Sequence, residues 1–237
     1  MSDLTCSVAM TSYNGERYIK EQIDSILKQL SITDELVISD DGSTDTTLEI
    51  LEAYKKLDDR VKIFRNSKMG AIKNFEFALK QCQNEIIFLS DQDDIWKEDK
   101  IEKVKVAFSE SSSLLVMHEA QNFDENWLQS NLIRNFKHGV LSNLINSCYW
   151  GCCIAFRKEL LRSVLPFPER LIAHDQWIGL MAEQQKTSLF IDEALILHRF
   201  HENNLTKRLP IWRKIKFRLN MLISYLRYKN SATRLEN

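Results

Sequence analysis

The chain alternates short apolar runs with segments of helical periodicity from residue 4 to about residue 120, and this alternation restricts its fold more than any other feature. The apolar runs are short enough to be buried strands and lie at 6–10, 36–39, 61–64, 86–89 and 114–117. Strands and helices in regular succession are typical of a parallel sheet covered by helices. The first half of the chain is therefore predicted to form an α/β fold with a mostly parallel central sheet.

Three stretches between these runs are predicted to be amphipathic helices, because their apolar residues recur at helical spacing. The second stretch is weaker than the others but follows a helix start signal, Gly-Ser-Thr-Asp, at 42–45. The apolar stripes are Ile19, Ile23, Ile26, Leu27 and Leu30; Ile50, Tyr54 and Leu57; and Ala71, Phe75, Ala78, Leu79 and Cys82.

The pattern changes after residue 120 to polar sequence with scattered aromatic residues, followed by a helix from about Asp175 and a strand-like run at 188–197. A chain of 237 residues is long enough for one domain with a small appendage. We therefore expect one domain over residues 1–206, divided at about residue 120, and a separate C-terminal segment over 207–237.

The C-terminal segment differs from the rest of the chain in charge. The net charge is −1, yet residues 207–237 hold nine Lys and Arg against one acid, which leaves −9 on residues 1–206. A basic amphipathic helix of this kind favours adsorption to an anionic membrane surface. The alternatives are packing on its own domain or on a second subunit in a homodimer. Nucleic acid is not expected, because no recognised binding module accompanies the charge. The predicted apolar stripe is Ile211, Ile215, Leu219, Leu222 and Leu226.

The sequence predicts a cytoplasmic protein that is at most peripheral on the inner face of the membrane. It has no N-terminal signal-peptide pattern and no apolar run of 18 residues or more. Five Cys, an odd number, fit reduced thiols better than a disulfide framework. Cys148, Cys152 and Cys153 are close in sequence, but a structural role is favoured over soft-metal ligation because no zinc-type ligand spacing follows.

Acidic residues follow the predicted strand at 86–89, in the sequence SDQDD at 90–94. Side chains alternate along a strand, so Asp91 and Asp93 are expected on one side, where hard oxygen ligands suit a divalent cation. The first and second strands also end in polar clusters, at 11–16 and 40–43. Since parallel strands point the same way, these clusters should converge and repel one another unless a cation or donor-rich ligand lies between them.

A nucleotide diphosphate with its metal fits such a crevice. Carboxylates would accept hydrogen bonds from base or ribose, Tyr13 would stack on the base, and a cation would join Asp93 to the phosphates. The chain contains neither G-x-G-x-x-G nor G-x-x-x-x-G-K-[ST], which argues against a dinucleotide oxidoreductase and a P-loop ATPase.

Four motifs follow one another along the chain: TSYNGERYI at 11–19, ISDDGSTDTT at 38–47, NSKMGAIKNFEFAL at 66–79 and FLSDQDDIW at 88–96. Together they resemble the family 2 glycosyltransferases, which have the GT-A fold, and the resemblance covers roughly residues 4 to 205. The sequences SDQDDIW, HDQW and HRFHENN are most similar to bacterial rhamnosyltransferases of surface-polysaccharide or capsule assembly.

The resemblance implies a site for a nucleotide-diphosphate sugar, with a nucleotide-binding half over 1–120 and a catalytic and acceptor half over 121–206. It implies Mn²⁺ or Mg²⁺ on Asp93, with His201 completing the metal shell or contacting the diphosphate. Asp91 would face ribose or sugar. The residues that would contact the nucleotide are Thr11, Tyr13, Glu16, Asp40 at the pyrimidine base, and Lys73 or Asn74.

Family members invert the anomeric centre, and their catalytic base opens a helix in the second half of the chain, where Asp175 is the match. A single displacement needs only one such base. The alternative for His174-Asp175 is a plain helix N-terminus with the acid favoured by the dipole. Trp150 and Gly151 fall where the family contacts sugar and acceptor. Trp177 would stack on an acceptor ring or else be a core aromatic.

The predicted activity is therefore inverting, metal-dependent transfer of a sugar, rhamnose or a hexose such as galactose or glucose, to a glycan acceptor that is lipid-linked. One alternative is a haloacid dehalogenase-like phosphohydrolase with Asp91 as nucleophile. That family expects Thr or Val two residues after the second Asp, whereas Ile95 stands two residues after Asp93 and Trp96 three, so the match is partial. The other is a non-catalytic binder of sugar nucleotides that serves as an assembly partner.

Overall fold

The structure is a computed structural model that describes residues 4–124, 126–127, 129–131, 136–201 and 210–235. Its strands are β1 (Cys6–Ser12), β2 (Glu35–Asp40), β3 (Val61–Arg65), β4 (Ile86–Ser90), β5 (Ile95–Trp96), β6 (Leu115–Phe123), β7 (Gln129–Asn131), β8 (Ile154–Arg157) and β9 (Ser188–Arg199). Its α-helices are α1 (Ile19–Leu27), α2 (Thr47–Leu57), α3 (Ala71–Gln81), α4 (Lys100–Ser109), α5 (Val140–Asn146), α6 (Leu161–Val164), α7 (His174–Gln184) and α8 (Ile211–Leu235). Single 3₁₀ turns lie at Gly151–Cys153 and Lys158–Leu160.

Within the described residues all the strands belong to one sheet, in the order β3-β2-β1-β4-β8-β6-β9-β5, with β7 paired to β6. The first four strands are parallel to one another. Their carboxyl ends therefore lie at the same edge, as the alternation of apolar runs and helices predicts.

The second half of the sheet is mixed, which the sequence pattern did not reveal. Strand β8 is antiparallel to both β4 and β6, and β5 is antiparallel to β9, whereas β6 and β9 are parallel. Strand β8 thus reverses the strand direction in the middle of the sheet. As a result, β9 delivers its C-terminal residues to the same edge as β1, β2 and β4, and a single crevice can form there.

The predicted stripes of α1 and α3 form the core on both sides of the parallel strands, whereas Leu57 of the second predicted stripe is 85% exposed. Ile19, Ile23 and Ile26 of α1 have no exposed surface, and Phe75 and Leu79 of α3 are buried as well. A fully buried aliphatic side chain stabilises the fold by about 1.5–3 kcal/mol, so these stripes fix the helices against the sheet.

Helix α8 packs on the domain, so the C-terminal segment contributes to the core. Met221 and Tyr225 are 3% and 8% exposed and belong to the main apolar cluster. Tyr228 meets the buried Trp177 edge-on, with ring centroids 6.0 Å apart. Of the helices in the described part of the chain, none is both long and apolar enough to cross a bilayer.

Helix α7 is buried on nearly every side, and a glycine makes this possible. The ring of Tyr149 lies directly on Gly179, where a Cβ atom would come within 2.2 Å of the ring carbons. The Tyr149 hydroxyl continues along the helix and donates to Glu183 at 2.6 Å. The Glu183 carboxylate also accepts from Ser188 of β9 and from the Gly139 amide. Glu183 therefore joins α7, β9 and the start of α5, a role that the sequence did not indicate.

We expect Gly179→Ala to lower the free energy of unfolding by about 2 kcal/mol or more, because the added methyl group overpacks the Tyr149 ring. Helix propensity alone favours alanine by about 1 kcal/mol, so a stabilised variant would contradict this packing. Chemical denaturation measures the change. The matched control is Gly151→Ala, whose Cβ would meet no atom nearer than 3.4 Å and which should change the stability by less than about 1 kcal/mol.

Candidate active site

The ends of β1 and β2 are joined by a buried carboxylate. Asp40 has no exposed surface, and its oxygens accept hydrogen bonds from the Ser12 hydroxyl at 2.8 Å, the Ser43 hydroxyl at 2.6 Å and the Ser43 amide at 2.8 Å. Asp40 therefore shapes the turn that follows β2. Its predicted contact with a pyrimidine base stays a prediction.

The loop after β1 is tied to the start of α2. Asn14 has a left-handed backbone, with φ of 48°, and its side-chain carbonyl accepts from the Thr44 amide at 2.8 Å. The Glu16 carboxylate accepts from the amide and hydroxyl of Thr46 at 3.0 and 2.7 Å, directly before the first helical residue. The TSYNGE sequence thus builds a rigid loop, and Glu16 caps the helix at the edge of the crevice.

Gln92 connects this loop to the end of β4. Its side chain accepts from the Tyr13 amide at 2.8 Å and donates to the Tyr13 carbonyl at 3.1 Å. The Tyr13 ring remains 48% exposed, as stacking on a base requires, and Thr11 is half-buried in β1. The first and fourth strand ends therefore meet, as their sequences predicted.

Residues Lys73 and Asn74 of α3 have different surroundings. Asn74 is buried, where its side chain accepts from the Ser39 hydroxyl at 2.6 Å and donates to the Ser39 carbonyl at 2.8 Å. Lys73 is exposed. The exposed Lys73 side chain is the one of the two that is accessible to a nucleotide. The Asn74 side chain instead joins α3 to β2.

The SDQDD segment carries three carboxyl groups with different surroundings. Asp91 and Asp93 are partly buried, whereas Asp94 is completely buried. Burial, and then the charges of Asp93 and Asp94, raise the pKa of Asp91 to about 8. Burial and the charge of Asp94 also raise the pKa of Asp93. These groups repel one another, and a divalent cation between them would relieve that repulsion.

Asp94 is held by two residues at the end of β9. Its Oδ1 accepts from Nδ1 of His198 at 2.8 Å and from the Arg199 amide at 3.1 Å. Burial by itself would lower the pKa of His198, but the Asp94 carboxylate outweighs it and raises that pKa to about 12. His198 is therefore an imidazolium at neutral pH, and the pair is a buried ion pair.

Arg199 fixes the loop that bears Asp93. Its guanidinium donates to the Asp93 carbonyl at 3.0 Å and to the Glu21 carboxylate of α1. It also lies between the rings of Tyr18 and Phe123, 4.6 and 4.5 Å from their centroids. The sequence predicted acids that converge and repel one another, and it did not indicate that Arg199 lies beside them. The pairing of β9 with β6 brings Arg199 to this position.

Asp93 and His201 fit the predicted metal site. Nε2 of His201 lies 2.8 Å from Oδ2 of Asp93, and both side chains are largely buried. A carboxylate oxygen and an imidazole nitrogen are ligands that Mn²⁺ accepts, and Mg²⁺ is bound through carboxylate. The donor set therefore fits the cation, and its ligation by Asp93 and His201 stays a prediction.

A second group of metal-ligand types is formed by Asp94, Cys152 and His198, whose ligand atoms lie within 4.8 Å of one another. Hydrogen bonding with Cys153 and burial raise the pKa of Cys152 well above its usual range, so the thiol stays protonated. The buried Lys100 ammonium lies close by and donates to the Cys152 carbonyl at 2.8 Å. A protonated thiol, an imidazolium and a neighbouring ammonium form a hydrogen-bonded structural cluster and do not favour a cation.

Asp175 opens α7 beside the same crevice. Its Oδ1 accepts from the Gln176 amide at 2.7 Å, and its charge contributes to the raised pKa of Asp91, which places the two carboxyl groups in one electrostatic environment. His174 stacks on Phe75 with ring centroids 4.0 Å apart, and burial lowers its pKa to about 3. The neutral His174 packs in the wall, so Asp175 is the titratable group of the pair that can act on a substrate.

Gly151 and Trp150 lie next to these groups. A Cβ atom on Gly151 would come within 3.4 Å of His174 and 3.7 Å of Asp175, so this backbone forms part of the wall beside the candidate base. The Trp150 ring meets His198 edge-on at 5.5 Å. Both residues lie beside groups of the candidate site, and their contacts with sugar or acceptor stay predictions.

Trp177 has the second of its two predicted roles. Its side chain is 2% exposed, and its indole nitrogen donates to the Val164 carbonyl at 3.0 Å. A ring buried in this way cannot stack on an acceptor. The expectation of an acceptor contact at Trp177 is therefore corrected to a core position.

Comparison with known proteins agrees with this geometry. Residues 7–165 match Glycosyl transferase family 2. The chain is 31% identical to the dTDP-rhamnosyl transferase RfbG of Shigella flexneri, over 96% of this chain and 83% of that protein. It is 29% identical to the glucosyltransferase WfgD of Escherichia coli, named as acting with UDP-Glc on α-D-GlcNAc-diphosphoundecaprenol, over 71% of this chain and 66% of that protein.

Among solved structures, S. aureus TarS superposes with a TM-score of 0.69 at 25% identity, over 83% of this chain and 60% of that chain. TarS in complex with UDP-GlcNAc gives a TM-score of 0.72 at 24% identity, over 87% of this chain and 62% of that chain. The chain spans less than two thirds of WfgD and of these TarS chains.

Fold and crevice together define a glycosyltransferase of the GT-A class. The chain belongs to Glycosyl transferase family 2, which confirms the resemblance drawn from its motifs. The haloacid dehalogenase-like alternative is therefore wrong.

We expect Asp94→Asn to lower the free energy of unfolding by about 3 kcal/mol at pH 6, because it leaves His198 buried without its counter-ion. In the native protein the folded-state pKa of His198 is above its unfolded value, so its contribution is complete below the unfolded pKa and is lost as the pH rises. The difference between native protein and variant should therefore shrink by about 1.4 kcal/mol per pH unit above pH ~6.5.

Denaturation with a chelator present measures this difference at pH 6, 7.5 and 9. Asp192→Asn, at an exposed position of β9, is the matched control. A difference that stays constant with pH would contradict the assignment of the ion pair.

Proposed function

We propose that the protein transfers a sugar from a nucleotide diphosphate to a hydroxyl group of a glycan acceptor, with inversion at the anomeric carbon and with a divalent cation. The observation that carries this proposal is that Asp93 and Asp175, from two separate parts of the chain, both lie near enough to Asp91 for their charges to contribute to its raised pKa. Two carboxylates at a strand end and a third at a helix start suit a metal-bound leaving group on one side and a base on the other.

The donor end of the reaction is assigned to the first half of the sheet. Tyr13 would stack on the base, Lys73 would approach the nucleotide, and Asp91 would accept from hydroxyl groups of ribose or sugar. Asp93 and His201 would hold Mn²⁺ or Mg²⁺. That cation supplies neutralisation of the charge that develops on the leaving diphosphate.

The acceptor end is assigned to α7 and the turn before β8. The Asp175 carboxylate takes the proton of the acceptor hydroxyl as its oxygen attacks the anomeric carbon, on the face opposite the leaving nucleoside diphosphate. Trp150 and Gly151 bound the space beside Asp175, where the sugar and acceptor must meet. A single displacement of this kind needs no protein nucleophile.

The names of the relatives support a pyrimidine nucleotide as the donor carrier. RfbG is named for dTDP-rhamnose, WfgD for UDP-glucose, and TarS has a structure with UDP-GlcNAc. We propose a dTDP- or UDP-linked sugar, with rhamnose as the leading choice and a hexose such as glucose or galactose as the second. The acceptor is proposed to be a lipid-linked glycan of bacterial surface-polysaccharide or capsule synthesis in the cytoplasm, as WfgD's named acceptor suggests.

Asp175→Asn should lower kcat by about 10²–10⁴-fold, because it removes the base and leaves the metal ligands in place. Donor affinity measured by calorimetry should change by less than about threefold. The assay follows nucleoside diphosphate release from dTDP-rhamnose, UDP-glucose, UDP-galactose and UDP-GlcNAc, with and without Mn²⁺, and Asp192→Asn is the control.

Three results of this assay would contradict parts of the proposal. A large loss of donor binding in Asp175→Asn would place that residue elsewhere. Release of free phosphate from a phosphomonoester would reject sugar transfer. No release of nucleoside diphosphate with any donor and acceptor, despite tight donor binding, would support the non-catalytic binder.

Asp93→Asn tests the metal site separately. We expect it to weaken Mn²⁺ binding by about tenfold or more, because a neutral amide replaces the charged ligand. Electron paramagnetic resonance of Mn²⁺ with protein and dTDP measures the loss without any need for turnover. Asp192→Asn, at an exposed position of β9, is the control and should bind Mn²⁺ as the native protein does.

A further inference from the structure

Helix α8 has two apolar faces, and the domain covers only one of them. Met221 and Tyr225 are buried in the main core, and Phe217 and Tyr228 pack against it. The apolar stripe predicted from the sequence is on the other face, which the domain does not cover. Among residues 212–230 of α8, whose side chains the structure describes, the large apolar residues that are 37% to 59% exposed are Trp212, Ile215, Leu219, Leu222, Ile223 and Leu226.

A second exposed apolar stripe lies on the neighbouring helix α5. Leu141 and Ile145 are four residues apart, so they share one face of the helix, and they are 72% and 69% exposed. Asn143, on the opposite side of α5, is buried, and Leu144 is half-buried. Because α5 and α8 are in contact, the two stripes lie on neighbouring helices.

The charge of α8 indicates what covers this surface. Residues 211–235 contain seven Lys and Arg and no acidic residue. Arg213, Lys214 and Lys216 are exposed in the first turns, directly beside Trp212 and Ile215. A symmetric dimer through this face would bring two such basic helices together, whereas an anionic lipid surface accepts both their apolar and their basic side chains.

We propose that α8 and α5 form a docking surface that lies on an anionic membrane. We call it the α5–α8 surface, and it consists of the eight exposed apolar residues named above with the basic residues of α8. The apolar side chains enter the interface between headgroups and acyl chains, and the Lys and Arg side chains contact acidic headgroups. Docking of this kind is parallel to the membrane and needs no spanning segment.

Helix α8 contacts the residue that follows the candidate base, which relates the docking surface to the proposed reaction. Nη1 of Arg218 donates to the side chain of Gln176 at 2.8 Å, and Gln176 follows Asp175. The charge of Asp175 also acts on Arg218. The docked helix therefore lies beside the candidate base, where an acceptor arrives. This last step rests on the proposed function, and it identifies the acceptor as one whose lipid anchor stays in the membrane.

The test is co-sedimentation of the full-length protein with vesicles of phosphatidylcholine alone and of phosphatidylcholine with phosphatidylglycerol. We expect binding to the anionic vesicles to be about tenfold stronger or more. Leu219→Asp/Leu226→Asp and Leu141→Asp/Ile145→Asp should each reduce that binding by about tenfold or more, because they place charge in the apolar stripe.

The control is Ile32→Asp/Leu57→Asp, which changes two apolar side chains that are 93% and 85% exposed away from the α5–α8 surface. It should bind as the native protein does. Equal binding by all variants, or no binding by the native protein, would overturn the proposal. A native dimer that dissociates in Leu219→Asp/Leu226→Asp, without vesicle binding, would assign the surface to a second copy.

Activity separates this proposal from the proposed function. Variants that lose vesicle binding should keep donor hydrolysis and transfer to a water-soluble acceptor, and should lose transfer only to an acceptor embedded in vesicles. A protein that binds vesicles but transfers no sugar would reject the proposed function and leave the docking surface in place. Circular dichroism establishes that each variant is folded.

Discussion

The buried ion pair between Asp94 and His198 holds the candidate site together. Asp94 follows β4, in the parallel half of the sheet, and His198 ends β9, in the mixed half. Between these strands lie β8 and β6, and the two-residue β5, which begins directly after Asp94, pairs with β9. The ion pair and the Arg199 contacts reinforce this short pairing at the edge of the sheet, where the proposed metal ligand Asp93 contacts His201.

This connection explains why the three carboxyl groups of the SDQDD segment differ in how their charges are compensated. Asp94 is paired with His198, whereas burial and the neighbouring acids outweigh the contact of Asp93 with His201, so that the pKa values of Asp91 and Asp93 are raised. The protein thus stabilises one charge internally and leaves two groups poised for a cation and a substrate. Perturbed carboxyl groups of this kind, gathered in a crevice, are the usual mark of a functional site.

The parallel half of the fold was predictable because its signals are local. Apolar runs of strand length, helical stripes and polar strand ends all lie within a few residues of one another, and β1 to β4 and α1 to α3 follow them closely. The GT-A fold and the family then followed from four motifs. Asp91 and Asp93 were predicted from the acidic end of a strand and Asp175 from the family resemblance, and their roles stay predictions.

The second half was less predictable because its contacts are distant in sequence. Arg199 acts on Asp93, Lys100 reaches Cys152, and Glu183 binds Tyr149 and Ser188. No spacing rule connects such pairs. Trp177 shows the same limit, since an aromatic beside a catalytic acid reads equally well as a ligand contact or as core. Likewise, the predicted apolar stripe of α8 did not reveal that the other face of the helix, with Met221 and Tyr225, packs on the core.

The link between Gln92 and the Tyr13 backbone ties the loop after β1 to the end of β4. A Cβ atom at position 15 would meet the side-chain oxygen of Gln92 at 2.3 Å. A larger residue there would therefore displace the Gln92 side chain and break the link. Under the proposed function, this change would release the loop that lies under the base from the segment that bears the proposed metal ligand Asp93. A change of base selectivity that leaves the phosphate end undisturbed would therefore keep Gly15 and Gln92.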